Sequence, residues 1–347
     1  MTRLTLAKGI TAGLRRAMEA DPKVLVMGED VGRLGGVFRV TEGLQKDFGE
    51  DRVIDTPLAE SGIVGTAIGM AMRGYRPVVE IQFDGFVYPA FDHITSQVSK
   101  MYARSRGHVK LPMVIRIPCG GGIGAVEHHS ESNEAYFAHT AGLRVVACSN
   151  PHDAHWMIQQ AIACPDPVIF YEPKRRYWDK GEIAAEPGRG LFQAATLRQG
   201  SDVTVLAYGP MVRTCLQAAQ AAEEEDISLE VIDLRSLSPL DEDTILASAR
   251  KTGRVVVVHE ASSFMGFGAG FLGPLVFGMV LDGSADSDRR LKSMLLWDVN
   301  NGIARRAWAR NPNAVWSIEQ EMKRTPGLKV TLPNEAEDDL IDRAIGK

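Results

Sequence analysis

Side chains that could bind a ligand or move a proton stand behind short apolar runs of this chain. In chain order they are Glu29, Glu60, Gln82, Phe86 and His129. Carboxyl and imidazole groups are common acids and bases of enzymes, and an aromatic ring offers a stacking surface. Ligands of open α/β sheets bind beyond the carboxyl ends of the strands, so we expect these residues to converge on one site. Their types alone do not name a reaction.

Each candidate also has a purely structural interpretation. Glu60 precedes a segment of small residues, and an acid at a helix N-terminus is stabilised by the helix dipole. Gln82 and Phe86 could simply pack at the end of a strand. The adjacent His128 and His129 could be loop residues without a role, or the start of a metal site. Against a metal, neighbouring side chains point in different directions and no third ligand stands at a recognisable spacing.

The elements that must position these residues alternate between helix and strand. Leu6, Ile10, Leu14 and Met18 recur every four residues and predict a helix that ends near Asp21. Continuous apolar runs predict strands that are buried on both faces of a parallel sheet. The predicted strands are 24–27, 52–54, 78–83, 114–117, 143–146 and 168–171, and the predicted helices are 62–72, 88–104 and 151–163. This alternation indicates a doubly wound α/β domain.

A second α/β domain is predicted after a break in this pattern. The stretch 172–199 combines proline, glycine, mixed charges and weak periodicity, which favours an interdomain linker. Beyond it, strands are predicted at 203–207, 229–233 and 254–259, and helices at 212–222 and 241–251. We therefore expect domains at 1–185 and 200–347, because a chain of 347 residues suits two domains better than one.

Composition narrows the class of protein. Hydrophobic residues make up 45% of the chain and charged residues 24%, as in ordinary globular proteins. The net charge of −5 and the lack of a basic run argue against a nucleic-acid partner. The cysteines are far apart in the sequence and indicate reduced thiols; they are Cys119, Cys148, Cys164 and Cys215.

Two stretches bear on location. Residues 264–281 are uncharged and nearly long enough to span a bilayer, but their glycines and Pro274 disfavour a membrane helix. Arg15, Arg16 and Glu19 interrupt the apolar residues of the N-terminus, which argues against a signal peptide. We therefore expect no membrane segment and a cytoplasmic location, or the mitochondrial matrix in a eukaryote.

Five longer motifs occur in order between about residues 5 and 270. They are Gly28-Glu29-Asp30-Val31 with Gly35-Gly36-Val37-Phe38-Arg39; Asp55-Thr56-Pro57-Leu58-Ala59-Glu60 with Gly62-Ile63-Val64-Gly65; Glu80-Ile81-Gln82-Phe83; His129-Ser130-Glu131-Ser132 with Ala135-Tyr136-Phe137-Ala138-His139; and His259-Glu260-Ala261 with Gly266-Phe267-Gly268-Ala269. Together they resemble the β subunits of the E1 component of thiamine-diphosphate-dependent 2-oxo acid dehydrogenases. The resemblance implies a transketolase-like pyrimidine-binding domain followed by a transketolase C-terminal-like domain.

The same resemblance implies roles for the candidate residues. Glu60 matches a glutamate that shares a proton with a nitrogen of the cofactor's aminopyrimidine ring and so helps to activate the thiazolium carbon. His129 matches an active-site histidine that lies near the reacting carbon or the incoming lipoyl group. The pocket around the aminopyrimidine ring is matched by Leu58, Gln82 and Phe86, and a further cofactor-side position by Glu29.

Half of the expected cofactor site is missing from this sequence. Relatives hold the diphosphate and Mg²⁺ through a Gly-Asp-Gly motif followed at a distance by asparagine, and no Gly-Asp-Gly occurs here. Asp282-Gly283 with Asn300-Asn301 lacks the first glycine and has too short a spacing. The resemblance therefore implies a partner E1 α subunit that holds Mg²⁺, an α2β2 assembly active only as a complex, and an E2 lipoyl acyltransferase core as acceptor.

The resemblance also implies a structural K⁺ ion, bound mainly by backbone carbonyls. The matching positions are Leu111, Met113, Val114, Ala161, Cys164 and Asp166. Backbone carbonyls carry no side-chain signature, so the sequence scarcely tests this expectation.

The residues of two motifs favour a branched-chain 2-oxo acid as substrate. The segments 36–39 and 134–139 look more like branched-chain than pyruvate members of the family. Pyruvate and acetoin dehydrogenases are the alternatives within the family, and a catalytically silent assembly subunit is an alternative of another kind. Intact Glu60 and His129 argue against a silent subunit.

The likeness to the family is expected to stop near residue 270. The family continues with an amphipathic helix, a strand and a proline-containing block, and the sequence 271–347 shows no such pattern. An abrupt end of this kind suits a shifted reading frame better than gradual divergence. Subunit contacts that the family forms with this region are not expected to carry over.

Overall fold

The computed structural model describes residues 2–262, 265–273, 275 and 293–298. The chain divides into two units, each with its own sheet and helices. The first unit runs to Gln193 and takes in Arg235–Leu240; the second comprises Ala194–Leu234 and the described residues from Asp241 onward. The predicted doubly wound α/β architecture is confirmed, whereas nothing in the sequence pattern indicates the return of 235–240 to the first unit.

The first unit is built on a seven-stranded sheet. Its strands, numbered along the whole chain, are β2 (Val24–Gly28), β3 (Val53–Asp55), β4 (Arg76–Glu80), β5 (Val114–Cys119), β6 (Arg144–Ala147), β7 (Val168–Pro173) and β12 (Ser236–Ser238). Their order is β12-β6-β7-β5-β4-β2-β3, and β12 runs antiparallel to β6 while the other neighbours are parallel. The strands β2, β5 and β7 are buried almost throughout, as expected for a sheet covered on both faces. A separate antiparallel pair joins β1 (Thr2–Thr5) to β8 (Lys180–Ile183).

The helices of this unit are α1 (Leu6–Ala20), α2 (Leu44–Phe48), α3 (Glu60–Met72), α4 (Met101–Arg104), α5 (Glu134–Ala138) and α6 (Pro151–Ala163). The predicted apolar stripe of α1 is buried, and α1 packs along α6. The Thr5 hydroxyl caps α1 by accepting from the Lys8 amide, and the Asn150 side chain caps α6 by accepting from the Asp153 amide. The helices at 6–20 and 151–163 therefore begin where side chains satisfy their first amides.

The segment predicted as one helix over 88–104 is irregular. It forms a 3-10 helix at Asp84–Ala90, a π-helical turn at His93–Val98 and the short α4. The hydroxyls of Thr95 and Ser99 each donate to the carbonyl four residues earlier, a bond that competes with regular helix geometry. The apolar period predicted the helical path correctly but could not reveal this change of pitch.

The stretch 172–199 is more ordered than the predicted linker, although the division between the two units falls within it, after Gln193. Glu172 belongs to β7 and Lys174 follows it directly; both side chains are buried in ion pairs. The stretch then supplies β8 to the two-stranded sheet. Polar residues that look like a loop are here buried against opposite charges, which no single-sequence pattern displays.

The second unit contains a five-stranded sheet. Its strands are β9 (Ala195–Arg198), β10 (Val203–Ala207), β11 (Leu229–Asp233), β13 (Arg254–His259) and β14 (Ser293–Asp298), in the order β14-β13-β10-β11-β9. Its helices are α7 (Met211–Ala222) and α8 (Glu242–Thr252), and α8 is capped by the Asp241 carboxylate. Only β9 runs antiparallel to its neighbour among these described strands.

The strand β14 corrects one expectation for the tail. It pairs in parallel with β13 over its whole length, so the region after 270 does contribute a strand to the sheet. Ser293–Asp298 contains a short apolar run, which is the sequence signal for this strand. Asp282-Gly283, Asn300-Asn301 and, within 264–281, residues 264, 274 and 276–281 lie outside the described residues. No helix of the described chain has the length and apolar character needed to cross a membrane.

Candidate active site

Parallel pairing brings the ends of four strands to one edge of the first sheet. The order β3-β2-β4-β5 places the segments that follow these strands side by side. Those segments carry Glu29 after β2, Glu60 after β3, Gln82 and Phe86 after β4, and His129 beyond β5. The predicted convergence at the carboxyl edge therefore follows from the strand order itself.

Two carboxyl groups lie buried at this edge. Glu29 is 7% exposed and Glu60, the first residue of α3, is 6% exposed. One oxygen of Glu29 is buried without a hydrogen-bond partner among the described residues. Burial, assisted by the negative charges of Glu60, Asp30 and Glu80, raises the pKa of Glu29 to about 7. This carboxyl can therefore gain or lose a proton near neutral pH.

The loop after β2 is held in a fixed conformation. Asp30 adopts a left-handed backbone conformation with φ of 57°, which aspartate tolerates better than most residues. Its carboxylate accepts from the Gln82 side-chain amide at 3.3 Å. The Asp55 carboxylate accepts from the amides of Gly32 at 2.6 Å and Arg33 at 3.4 Å. These bonds tie the loop that carries Glu29 to the ends of β3 and β4.

A buried arginine supports the acidic edge from within the sheet. Arg116 on β5 donates to Glu80 at 2.6 Å and to both oxygens of Glu172 at 2.6 and 2.9 Å. The Tyr177 hydroxyl also donates to Glu172, at 2.6 Å. Burial opposes the charge on Arg116, but Glu172 and Glu80 together raise its pKa above the usual value. The guanidinium therefore stays charged and balances two carboxylates.

Sequence reasoning missed this arginine network. Its signal was visible, because Glu80 and Arg116 are single charged residues inside otherwise apolar runs of strand length. A charge that interrupts a buried strand requires a buried partner. Glu172, the second partner, was assigned to the predicted linker.

The rings at this edge form one cluster around His129. The His129 ring centroid is 4.7 Å from that of Phe83 and 5.1 Å from that of Phe86, both in edge contacts. Its Nδ1 is buried and makes no hydrogen bond within the described chain. His128 is exposed and lies 5.2 Å from Phe86. No group of three metal-ligating side chains occurs among the described residues.

Leu58 differs from the other predicted pocket residues. It lies in the loop between β3 and α3 and is 77% exposed, while Phe86 and Gln82 are half-buried. The structure thus brings Glu29, Glu60 and the ring cluster to one edge and presents Leu58 to the outside of the chain.

The residues predicted for K⁺ lie at the opposite, amino edge of the sheet. Met113 precedes β5, and its carbonyl accepts from the Val168 amide at the start of β7 at 2.9 Å. The Ala161 carbonyl, in the last turn of α6, accepts from the Cys164 amide at 3.2 Å. The Asp166 carboxylate is engaged by the Arg144 side chain at 3.0 and 2.8 Å. The segments are thus adjacent through β5 and β7, and any ion there is remote from the carboxyl edge.

Comparison with known protein families agrees with this geometry. The sequence profile of the transketolase pyrimidine-binding domain matches residues 2–179, and that of the transketolase C-terminal domain matches 193–284. The second match extends past residue 270, where the likeness was expected to stop. The structure is similar to a split-gene transketolase (TM-score 0.66, 22% identity, 86% of this chain and 90% of that one). A Pichia stipitis transketolase gives a TM-score of 0.60 at 16% identity over 76% of this chain and 40% of that one. These structural likenesses establish the fold.

Sequence relatives define the family more narrowly. A pyruvate dehydrogenase E1 component subunit beta of Leifsonia xyli is 62% identical over 267 residues, 77% of this chain and 79% of the relative. A 3-methyl-2-oxobutanoate dehydrogenase subunit beta of Mycobacterium tuberculosis is 56% identical over 269 residues, 77% of each chain. A 2-oxoisovalerate dehydrogenase subunit beta of Pseudomonas aeruginosa is 46% identical, covering 78% of this chain and 81% of the relative.

Fold and site together define a transketolase-like protein with an acidic, histidine-bearing edge. Within that class, the chain belongs to the E1 β subunits of 2-oxo acid dehydrogenases, a family of enzymes that use thiamine diphosphate.

Proposed function

We propose that this chain supplies the aminopyrimidine side of a thiamine diphosphate site that an E1 α subunit completes. The observation that carries the proposal is the pair of buried carboxyl groups, Glu29 and Glu60, at the carboxyl edge of the first sheet. One oxygen of Glu29 lacks a hydrogen-bond partner in the described chain. An aminopyrimidine ring carries N–H groups that can donate a hydrogen bond to such an oxygen. The residues therefore fit the group that the family uses.

Each residue has a defined task in this proposal. Glu60 shares a proton with a ring nitrogen, and Glu29 nearby exchanges protons near neutral pH. Phe86 offers a ring face, Gln82 an amide and Leu58 an exposed apolar side chain for the partner side to cover. The cofactor, when bound, supplies the nucleophilic carbon and the electron sink for loss of carbon dioxide.

His129 is proposed as the second catalytic residue. Its half-buried ring stands in the aromatic cluster, and histidine is the commonest side chain for proton transfer in enzymes. We assign it proton transfer at the reacting carbon or at the lipoyl sulfur of the E2 acceptor. His128, which is exposed, receives no role.

The partner subunits follow from what the sequence lacks. The 347 residues contain no Gly-Asp-Gly motif for Mg²⁺ and diphosphate. We therefore assign both to an E1 α subunit in an α2β2 complex, with a lipoyl E2 core as acyl acceptor. A backbone K⁺ site at the amino edge, from Leu111, Met113, Val114, Ala161, Cys164 and Asp166, is proposed as a stabilising feature.

The proposed substrate is a branched-chain 2-oxo acid. The motifs at 36–39 and 134–139 favour it, and two of the relatives above act on branched-chain acids by name. Pyruvate is the second candidate, because the Leifsonia relative is the more identical and is a pyruvate enzyme by name.

Competition between these acids tests the substrate. Each methylene in an apolar pocket contributes about 1–3 kcal/mol of discrimination, so kcat/KM of the reconstituted α–β complex should favour 2-oxoisovalerate over pyruvate by roughly 10-fold or more. Equal values, or a preference for pyruvate, would reject the branched-chain assignment and leave the cofactor proposal intact.

A further inference from the structure

Asp84 holds several loops together at the carboxyl edge. Its fully buried carboxylate accepts from the Gly85 amide at 3.1 Å and from the Gly120 amide at 3.0 Å. Its backbone carbonyl accepts from the Asn133 side chain at 2.9 Å. These bonds join the turn after β4, the glycine loop after β5 and the start of α5. Asp84 is therefore a common anchor for the segments on both sides of His129.

Lys174 connects this anchor to the backbone of His129. It follows β7, is fully buried, and donates from its ammonium to Asp84 Oδ2 at 2.8 Å and to the His129 carbonyl at 2.6 Å. The same ammonium lies 5.6 Å from the centroid of the Phe83 ring. Charge-assisted hydrogen bonds of this kind are shorter and stronger than neutral ones. The His129 carbonyl is thus fixed to the sheet through one buried cation.

The His129 ring has no comparable anchor of its own. Its Nδ1 makes no hydrogen bond within the described chain, although in acid–base histidines a bond to one nitrogen commonly fixes ring orientation. The ring lies instead against the edges of Phe83 and Phe86. Such contacts are less directional than a hydrogen bond, so the position of the ring depends strongly on the backbone that carries it.

The loop also fits closely over Gly85. A Cβ atom at Gly85 would lie 2.2 Å from the His128 carbonyl oxygen and 2.8 Å from the His128 Nδ1. On the far side of the loop, the Tyr88 hydroxyl donates to Glu131 at 3.1 Å. The backbone around His129 is therefore confined by Gly85 and by the bond between Tyr88 and Glu131.

From this geometry we propose that the Lys174–Asp84 ion pair is the positioning device for His129. The inference rests on the proposed function, in which His129 transfers a proton. Neither Lys174 nor Asp84 is assigned a contact with substrate or cofactor. They act by setting the backbone from which the imidazole reaches the reacting group, and a displacement of about 1 Å there is enough to slow a reaction roughly 10²-fold.

The principal variant removes both charges of the Lys174–Asp84 pair, so that neither is left buried without its partner. In D84N/K174M both ionic partners are replaced, because removal of one alone would leave the other buried and uncompensated. K174R is the conservative rescue, since it retains a cation that can donate to both acceptors. G85A is an independent variant that keeps both charges and displaces the loop through the contact with His128. The matched control is R235M/D153N, which neutralises a buried pair in the same unit whose bonds go to the carbonyls of 190 and 193.

Two measurements are made on the assembled complex with the α subunit and thiamine diphosphate. Hydrogen exchange of the amides of 120–133 reports loop order directly. Turnover with saturating substrate reports kcat separately from KM. We expect D84N/K174M and G85A to accelerate exchange and to lower kcat by about 10-fold or more, with KM within about twofold. K174R should keep most of the parent's protection from exchange and most of its kcat. R235M/D153N should leave exchange of 120–133 unchanged.

A cycle with H129A decides whether the effect passes through His129. If the pair acts by positioning that ring, D84N/K174M should reduce kcat little further in the H129A background. Multiplicative losses, or unchanged exchange and kcat in D84N/K174M, would overturn the proposal. Normal turnover in H129A would instead reject the catalytic role of His129 itself, and with it the catalytic meaning of the pair; that failure is recognised because it appears in the single variant.

Discussion

Two buried carboxyl groups, those of Glu29 and Glu60, lie at the carboxyl edge of the first sheet. Glu60 stands at the N-terminus of α3, and Glu29 lies buried after β2 with one oxygen that has no hydrogen-bond partner among the described residues. Burial, together with the nearby negative charge of Glu60, favours the protonated form of Glu29 close to neutral pH. A carboxyl group that exchanges its proton near neutral pH suits an acid–base site.

Replacement of Glu60 by glutamine tests its role. Glu60→Gln keeps the size and polarity of the side chain but removes the ionisable group, so assembly with the α subunit should be unchanged. Decarboxylation with an artificial electron acceptor should fall by about 10²–10⁴-fold, the usual range for acid–base groups. Glu42→Gln, at an exposed surface pair with Lys8, is the control and should retain full activity. Near-normal turnover in Glu60→Gln would reduce Glu60 to a helix-end acid.

The raised pKa of Glu29 predicts a pH dependence of stability. The folded state holds this proton up to about pH 7, whereas an ordinary glutamate has a pKa of 4.5. Between these values the folded state binds more protons, so the free energy of unfolding should fall as pH rises, by up to about 1.4 kcal/mol per unit. Glu29→Gln should flatten that fall in urea titrations of the chain from pH 5.5 to 8.

Glu42→Gln is again the matched control for that experiment. The hydrogen bond from Lys8 lowers the pKa of Glu42. The contribution of Glu42 to the free energy of unfolding therefore changes below pH 5.5 and not between pH 5.5 and 8. An equal slope in the parent and in Glu29→Gln would show that Glu29 titrates normally.

At the residue scale, sequence reasoning predicted residues that converge on the carboxyl edge of the first sheet and missed the groups that support them. Glu60, Gln82 and His129 stand in long motifs after strands, where strand order alone predicts convergence. Arg116 interrupts an apolar run of strand length and so indicates that a buried partner exists. The sequence does not say which residue that partner is, because the partners of Arg116 and Lys174 lie far away along the chain.

The close contact of α1 with α6 is the clearest packing feature of the first unit. A Cβ atom at Gly13 would lie 2.5 Å from both the His155 carbonyl oxygen and the Ile158 Cγ2. Gly9 approaches Pro151 in the same way, at 2.8 Å from its carbonyl oxygen. The two helices therefore approach through backbone at positions where only glycine fits.

Alanine should change the free energy of unfolding differently at Gly13 in α1 and at Gly69 in α3. Gly13→Ala should lower the free energy of unfolding by about 1–3 kcal/mol, because α1 must move away from α6. Gly69→Ala in α3, with nothing within 4 Å of its added Cβ, should be neutral or raise that free energy by about 0.5–1 kcal/mol. Chemical denaturation of the purified chain measures both. Equal effects would show that α1 and α6 are not as close as described.

At the element scale, regular periodicity predicted regular elements. The stripe of α1 and the run of α6 gave boundaries within a residue or two of those observed. The segment 84–104 defeated the same reasoning, because Pro89 and side-chain bonds to the backbone change the pitch without changing the apolar period. The strand β14 was missed because its run is short and isolated.

At the scale of the whole molecule, the proposed cofactor site is incomplete within this chain. The first unit offers acids, an aromatic cluster and an imidazole, and the sequence offers no diphosphate or Mg²⁺ motif. Under the proposed function, binding energy for the charged end of the cofactor comes from the α subunit. Affinity should accordingly depend on assembly.

Titration calorimetry with thiamine diphosphate and Mg²⁺ tests this claim most directly. The purified chain is titrated alone and again as the complex with its α subunit, under one buffer and salt condition. The account predicts weak or undetectable binding to the chain alone and tight, Mg²⁺-dependent binding to the complex. Tight, Mg²⁺-dependent binding to the chain alone would contradict it, because a complete site would then exist without a partner.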